Sequence, residues 1–371
     1  MKTIRSRFAP CLALLLLLAL GRSEALAQHY AALAQSDSLS ITDLVLIYQG
    51  GTHRIAWTSD HFLPYVSTTD RTSHREQWLF DGFLFIEFKD NRGFEYAHGY
   101  KQRPARKEEW MWLLQRNFER GVALEGLDRT CISTAARIGP PLRKRKVVLT
   151  LPEPIVGQAD WGSLNGRELD FNRPDDRIAA CKWYMDEALS LWNALSPENL
   201  DLAGFYWVAE YGSESKTILP RIGELIRSKG KRFYWIPYWN APLAGEWKSL
   251  GFDAAYQQPN HFFHTEVSDD RLNEACAFAR VHEMGLEMEF DGQAITAPRD
   301  FRPRFHSYLE FFRKNAVIDS SAIAYYEGGG ALLNLASSQA IEERALYDLL
   351  ASALTTRQHR ADSVYSRRSH R

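Results

Sequence analysis

Residues 203–239, AGFYWVAEYGSESKTILPRIGELIRSKGKRFYWIPYW, carry the pattern that decides the fold. Two runs rich in aromatic and β-branched residues, 203–210 (AGFYWVAE) and 233–239 (FYWIPYW), flank 216–228, where apolar residues recur at helical spacing. Gly230 supplies the stop after that helix. A strand, a crossover helix and a second strand form the unit of a parallel sheet.

The same alternation extends in both directions. Upstream runs are 44–50 (LVLIYQG), 82–88 (GFLFIEF) and 147–152 (VVLTLP); downstream runs are 254–258 (AAYQQ), 286–291 (LEMEFD) and 323–327 (IAYYE). Helical spacing recurs over 176–195, 271–284, 301–314 and 339–354, with Asp270 and Asp300 as N-caps and Pro303 in a first turn. Eight strands with intervening helices predict an α/β fold, a single (β/α)8 TIM barrel. The beginning is less regular. Residues 52–78 lack a clear amphipathic helix, and only 106–120 reads as helical before the third run. Long early βα loops walling one side of a cleft are expected.

The termini read differently. Lys2, Arg5 and Arg7 precede the apolar run 11–20 (CLALLLLLAL), and Ala25-Leu26-Ala27 gives a small-residue cleavage pattern. This predicts a signal peptide at 1–27 and a secreted or periplasmic product. The run is about half the ~20 residues a span requires, so no membrane span is expected. The barrel domain is assigned to 28–355, and 356–371 (TRQHRADSVYSRRSHR) reads as a basic, disordered tail. A formal net charge of −1 argues against a nucleic-acid partner. Cys131, Cys181 and Cys276 form no C-x-x-C pair; their spacing leaves one disulfide open, Cys181 and Cys276 in apolar helical patterns read preferentially as two buried free thiols, and a cysteine nucleophile is not expected.

In such barrels the chemistry sits where strands end. The fourth run ends in Glu210, and the seventh holds Glu287, Glu289 and Asp291, which share parity and so one side of the strand, spaced by roughly 7 Å. Neighbouring carboxylates inside a barrel repel and are costly to desolvate, so packing alone gives no reason for them. A lone Glu after a strand is more often a loop charge. Two acidic ends on strands that face one another across the lumen fit the cleavage of a glycosidic bond, which needs one carboxylic acid and one carboxylate.

Sugar sites add aromatic faces and amides. Tyr206 shares the parity of Glu210; Tyr238, Trp239 and Asn240 close the fifth run, Gln258 and Asn260 the sixth, and Tyr326 and Glu327 the eighth. Asp60 is a further rim candidate after the first run, and Glu153 after the third. His261 and His264 have the spacing of metal ligands, but no third ligand follows; no metal and no cofactor are expected. Elimination chemistry would want a basic residue beside the acids, and the rim offers no obvious Lys or Arg.

The Glu210/Glu289 placement resembles the large clan of retaining glycosidases built on this barrel. The resemblance implies Glu210 as general acid/base and Glu289 as nucleophile, with Asp291 in reserve and Glu327 as a supporting carboxylate. The clan has Asn before the acid; here Ala209 stands there. The segments LIYQGG, FDGFLFIEF, FYWIPYW, GFDAAYQQPNHFF and GLEMEFD also resemble a secreted bacterial family catalogued as domain of unknown function 4855. The implied function is glycoside hydrolysis of a carbohydrate; the alternative is a glycan-binding barrel without catalysis. Oligomeric state is not legible.

Overall fold

A computed structural model describes residues 29–32, 40–71 and 73–369. Eight strands close one parallel barrel: β1 (Asp43–Tyr48), β2 (Gly82–Ile86), β3 (Arg145–Leu151), β4 (Leu200–Trp207), β5 (Arg232–Trp235), β6 (Ala254–Gln257), β7 (Gly285–Glu289) and β8 (Ile323–Tyr326). Each pairs in parallel with its sequence neighbours, and β1 closes the ring onto β8, with Leu44 opposite Ala324. The eight runs expected from sequence are these eight strands.

The helices are α1 (Ser59–Val66), α2 (Lys107–Asn117), α3 (Ala123–Ile138), α4 (Pro174–Leu195), α5 (Leu219–Ser228), α6 (Asp270–Val281), α7 (Pro298–Lys314), α8 (Ala331–Ser337) and α9 (Ile341–Ser369). Three lie where no helix was expected, the seven-residue α8 among them. α1 is eight residues long with Pro64 inside it, so its apolar side (Phe62, Tyr65, Val66) is too short to show a period. α3 fills much of the second connection. The early loops are therefore long but partly helical. Between β5 and β6 only a 3₁₀ turn, Ala244–Glu246, replaces the crossover helix. The caps also move: Asp269 rather than Asp270 precedes α6, and Ala297 with Pro298 opens α7, leaving Asp300 in its first turn.

The expected tail is corrected. α9 runs unbroken through 356–369 and lies under the N-terminal end of the barrel. Arg357 is fully buried, its Nε 2.7 Å from Asp43 Oδ1, while its Nη atoms donate to the carbonyls of Thr42, Val317, Ile318 and Ser321. Gln358 Nε2 donates to Asp43 Oδ2 at 2.8 Å, and Arg143 bridges Asp81 (2.8 Å) and Asp362 (3.1 Å). Basic composition misled here because Arg357 is a buried barrel-bottom partner, although Arg360 and Arg367 remain exposed. The expected signal peptide at 1–27 lies outside the described residues. Among the described residues no helix is long and apolar enough to cross a membrane. Cys131, Cys181 and Cys276 are buried free thiols.

One glycine fixes how β4 meets β5. A Cβ on Gly204 would stand 1.9 Å from the Arg232 carbonyl oxygen, beside the register shift between Leu202 and Gly204. Gly204→Ala must push the strands apart, so a loss of about 1–3 kcal/mol is expected in denaturant unfolding.

Candidate active site

The C-terminal ends of β1, β2, β4, β6, β7 and β8 surround a cavity of about 320 Å³, lined by Tyr48, Arg54, Glu87, Tyr100, Glu210, Gln258, Asn260, Phe263, Glu287, Glu289 and Tyr326 among others. Alternation along β7 turns Glu287 and Glu289 into this lumen together. Glu210 arrives three residues after β4, where the chain is held by Trp235 Nε1 donating to the Ala209 carbonyl at 2.9 Å. The two acidic strand ends thus meet in one cavity.

A chain of amides positions Glu210. Gln258 Nε2 donates to Glu210 Oε1 at 2.8 Å, Asn260 Nδ2 donates to Gln258 Oε1 at 2.9 Å, and Asn260 Oδ1 accepts from the Trp239 backbone. Asn260 does this from a left-handed conformation (φ 47°) that Asn tolerates better than most residues. Glu210 is partly exposed, and burial raises its pKa against the opposing pull of Gln258. Glu289 is buried and accepts at Oε2 from the Tyr308 hydroxyl and from the His261 amide at 3.2 Å. Burial lifts its pKa to about 7, the Tyr308 and His261 donors favour the carboxylate, and the Glu210 charge adds to the rise.

Glu287 lies at 1% exposure, and its pKa is raised well above the usual range by burial and by the charges of Glu289 and Glu210. A carboxyl raised on folding stabilises the protein below its unfolded pKa, and that stability is lost as pH rises toward the folded value. Glu287→Gln removes the titration. Its melting temperature is expected to exceed that of the wild type at pH 8, with the gap closing by about pH 4.

Several expected site residues take other roles. Asp291 is not among the residues lining the cavity; it accepts from Gln293 N at 2.8 Å in the turn that leads into the short helix Gln293–Thr296, a structural use rather than the expected reserve-nucleophile position. Glu327 is buried and satisfied by Tyr65 Oη (3.1 Å), Gly330 N (2.8 Å) and Leu332 N (3.0 Å), which ties the Gly328–Gly330 turn to α8. Burial raises its pKa to about 7, yet it does not line the cavity, so it supports the loop rather than the chemistry. Asp60 opens onto a separate outer groove beside α8 and α9, because α1 carries it away from the lumen. Asn240 is exposed in a left-handed turn (φ 59°) and lines neither cavity. Glu153 is buried between His98 N and Ser215 Oγ as a loop tie. His261 is buried with Nε2 2.8 Å from Asp269, burial and Arg304 lowering its pKa to about 4, whereas His264 is exposed beside Glu266. Among the described residues no group of His, Cys, Asp or Glu could hold a metal.

The remaining expected residues fall at the rim. Tyr326 lines the central cavity, and Tyr206 is buried beneath it, its phenol raised by burial and by Glu210 and Glu287. Tyr238 and Trp239 line an adjoining groove of about 380 Å³ with His264, Val267 and Arg271, and Asn260 lines both spaces. Sequence reading missed Arg54, Glu87, Lys89 and Tyr308. Arg54 forms a two-pronged pair with Glu87 (2.8 and 3.0 Å) and lies over the Tyr48 ring at 4.3 Å. The expectation of a rim without Lys or Arg is therefore corrected: Arg54 and Lys89 both line the cavity. The available signal was Glu87, the one charge within the otherwise apolar run GFLFIEF.

Fold and site together define a (β/α)8 barrel with paired acids at the ends of strands four and seven. The chain belongs to the family described as Domain of unknown function (DUF4855), whose model matches residues 43–352. Among curated proteins no relative matches. Solved structures similar to the chain include the Rubisco of Pyrococcus horikoshii OT3 (9% identity, 89% of this chain, TM-score 0.40), of which the chain spans 64%. They also include an endo-1,4-beta-D-mannanase from Thermotoga petrophila RKU-1 (14%, 57% of this chain and 68% of that one, 0.34) and Dispersin B (11%, 86% and 99%, 0.39). At these scores the likenesses carry nothing about substrate or chemistry.

Proposed function

We propose that the chain is a glycoside hydrolase, with Glu210 as general acid/base and Glu289 as nucleophile. One observation carries the reading: carboxyls from strands four and seven line a single cavity beside Tyr48, Tyr100 and Tyr326. Burial keeps Glu210 inclined to hold its proton, as an acid that must protonate a leaving oxygen requires. Glu289 has a hydroxyl and an amide donor aimed at its attacking carboxylate. In this scheme Glu289 attacks the anomeric carbon while Glu210 protonates the departing oxygen, forming a glycosyl ester. Glu210, now ionised, then takes a proton from water, which hydrolyses that ester and regenerates both residues. The leader-like residues 1–27 support export to a periplasm or the medium.

Product analysis on a panel of plant, host and microbial glycans tests this. Wild type is expected to release new reducing ends, and Glu210→Gln and Glu289→Gln to release none. Full activity in both variants overturns the assignment, and glycan binding without cleavage by wild type selects the binding-only alternative.

Tyr308 gives a second prediction. Its hydroxyl stabilises ionised Glu289, so Tyr308→Phe raises the nucleophile's pKa further. The acidic limb of the kcat/KM profile is expected to move upward. Activity at pH 6 then falls more than activity at pH 8.

A further inference from the structure

We propose that Glu287 is a substrate-binding residue that meets a ring hydroxyl of the sugar from the floor of the cavity. The inference rests on the carbohydrate reading of the site and names a contact within it.

The observation is an exception. Around this rim the other buried carboxyls are satisfied within the protein: Glu87 by Arg54 and Gly51 N, Glu153 by His98 N and Ser215, Glu289 by Tyr308 and His261 N, and Glu327 by Tyr65 and two backbone amides. Glu287 is as buried as these, lines the cavity, and has an Oε1 with no hydrogen-bond partner among the described residues. Leaving such a group unmade costs roughly 1–3 kcal/mol, so a persistent one asks for a partner that arrives with a ligand.

The chemistry of that partner follows from what a buried carboxyl can offer. Burial and the neighbouring acids Glu289 and Glu210 push the Glu287 pKa well up, which favours the protonated form with one O–H donor and one carbonyl acceptor. A sugar hydroxyl is likewise both donor and acceptor. An anionic group meeting Glu287 would gain no ion pair from it and would face Glu289 and Glu210. Around Glu287 stand the phenols of Tyr48, Tyr206 and Tyr326, each near enough to feel its charge. The floor is thus suited to a neutral polyhydroxyl ring.

Ligand-observed NMR titration at pH 6 with glucose, mannose, galactose, xylose and N-acetylglucosamine tests the proposal on the full chain. At least one sugar is expected to bind wild type. Glu287→Gln, which keeps a donor and an acceptor, should hold its Kd within about threefold, while Glu287→Leu should weaken it by about 10–100-fold. The monodeoxy analogues of the bound sugar should include one that binds wild type weakly and that Glu287→Leu no longer distinguishes from its parent. A folded Glu287→Leu with wild-type affinity overturns the proposal alone. Failure of every sugar to bind wild type overturns the carbohydrate reading and the proposal with it.

Discussion

Glu289→Gln is expected to lower kcat on the order of 10⁴-fold or more while leaving the fold intact, measured on whichever glycan the wild type cleaves. Size and specificity both follow from the environment. The Gln amide oxygen can still accept from Tyr308 and the His261 amide, so the packing against β7 survives. What is lost is the anionic oxygen that would form the glycosyl ester, and no nearby carboxyl can replace it. Asp291 is committed to the Gln293 turn, Glu327 to the Gly330 loop, and burial, the largest cause, raises the Glu287 pKa and disfavours its carboxylate. The pH dependence carries the same signature. Attack requires ionised Glu289, whose pKa is near 7, so wild-type kcat/KM should fall below neutrality rather than below pH 4–5.

Ending the chain at residue 355 is expected to cost more stability than any single rim substitution. Truncation removes Arg357 and Gln358 and leaves Asp43 buried with only Tyr325 Oη, 2.8 Å away, among its side-chain partners. Breaking a buried ion pair by removing one partner costs about 3–5 kcal/mol, because the remaining charge is neither hydrated nor paired. Arg357→Ala isolates that part of the loss. Urea unfolding should show both the truncation and the point variant destabilised by this order, the truncation more. Stability equal to wild type in the truncated chain would mean that α9 only rests on the barrel.

The contrast between strands and tail says what a sequence can carry. Each barrel strand is a short block of aromatic and β-branched residues, a signal that stays local, so all eight were legible, including the placement of Glu210 and Glu289 at or just past their ends. Helix α1 was not, because eight residues interrupted by Pro64 hold no period. The tail misled because Arg357 is buried by partners hundreds of positions earlier, Asp43 and Thr42, which no window can bring together. The same limit hid Arg54, whose role depends on Glu87, and Tyr308, which reaches Glu289 from α7. It also let Asp291 and Glu327 look like candidates. Parity and strand-end position put them near the rim, but only their turn hydrogen bonds show that they are already used.

The most direct test of the acid–nucleophile pair is covalent trapping. Wild-type protein would be incubated with 2-deoxy-2-fluoro glycosyl fluorides of the gluco, manno, galacto and xylo series, then read by intact mass and peptide mapping. The account predicts one added glycosyl group, as an ester on Glu289 within GLEMEFD, and slower turnover of that ester in Glu210→Ala. An ester on any other residue, or a wild-type chain that no donor labels, would contradict it.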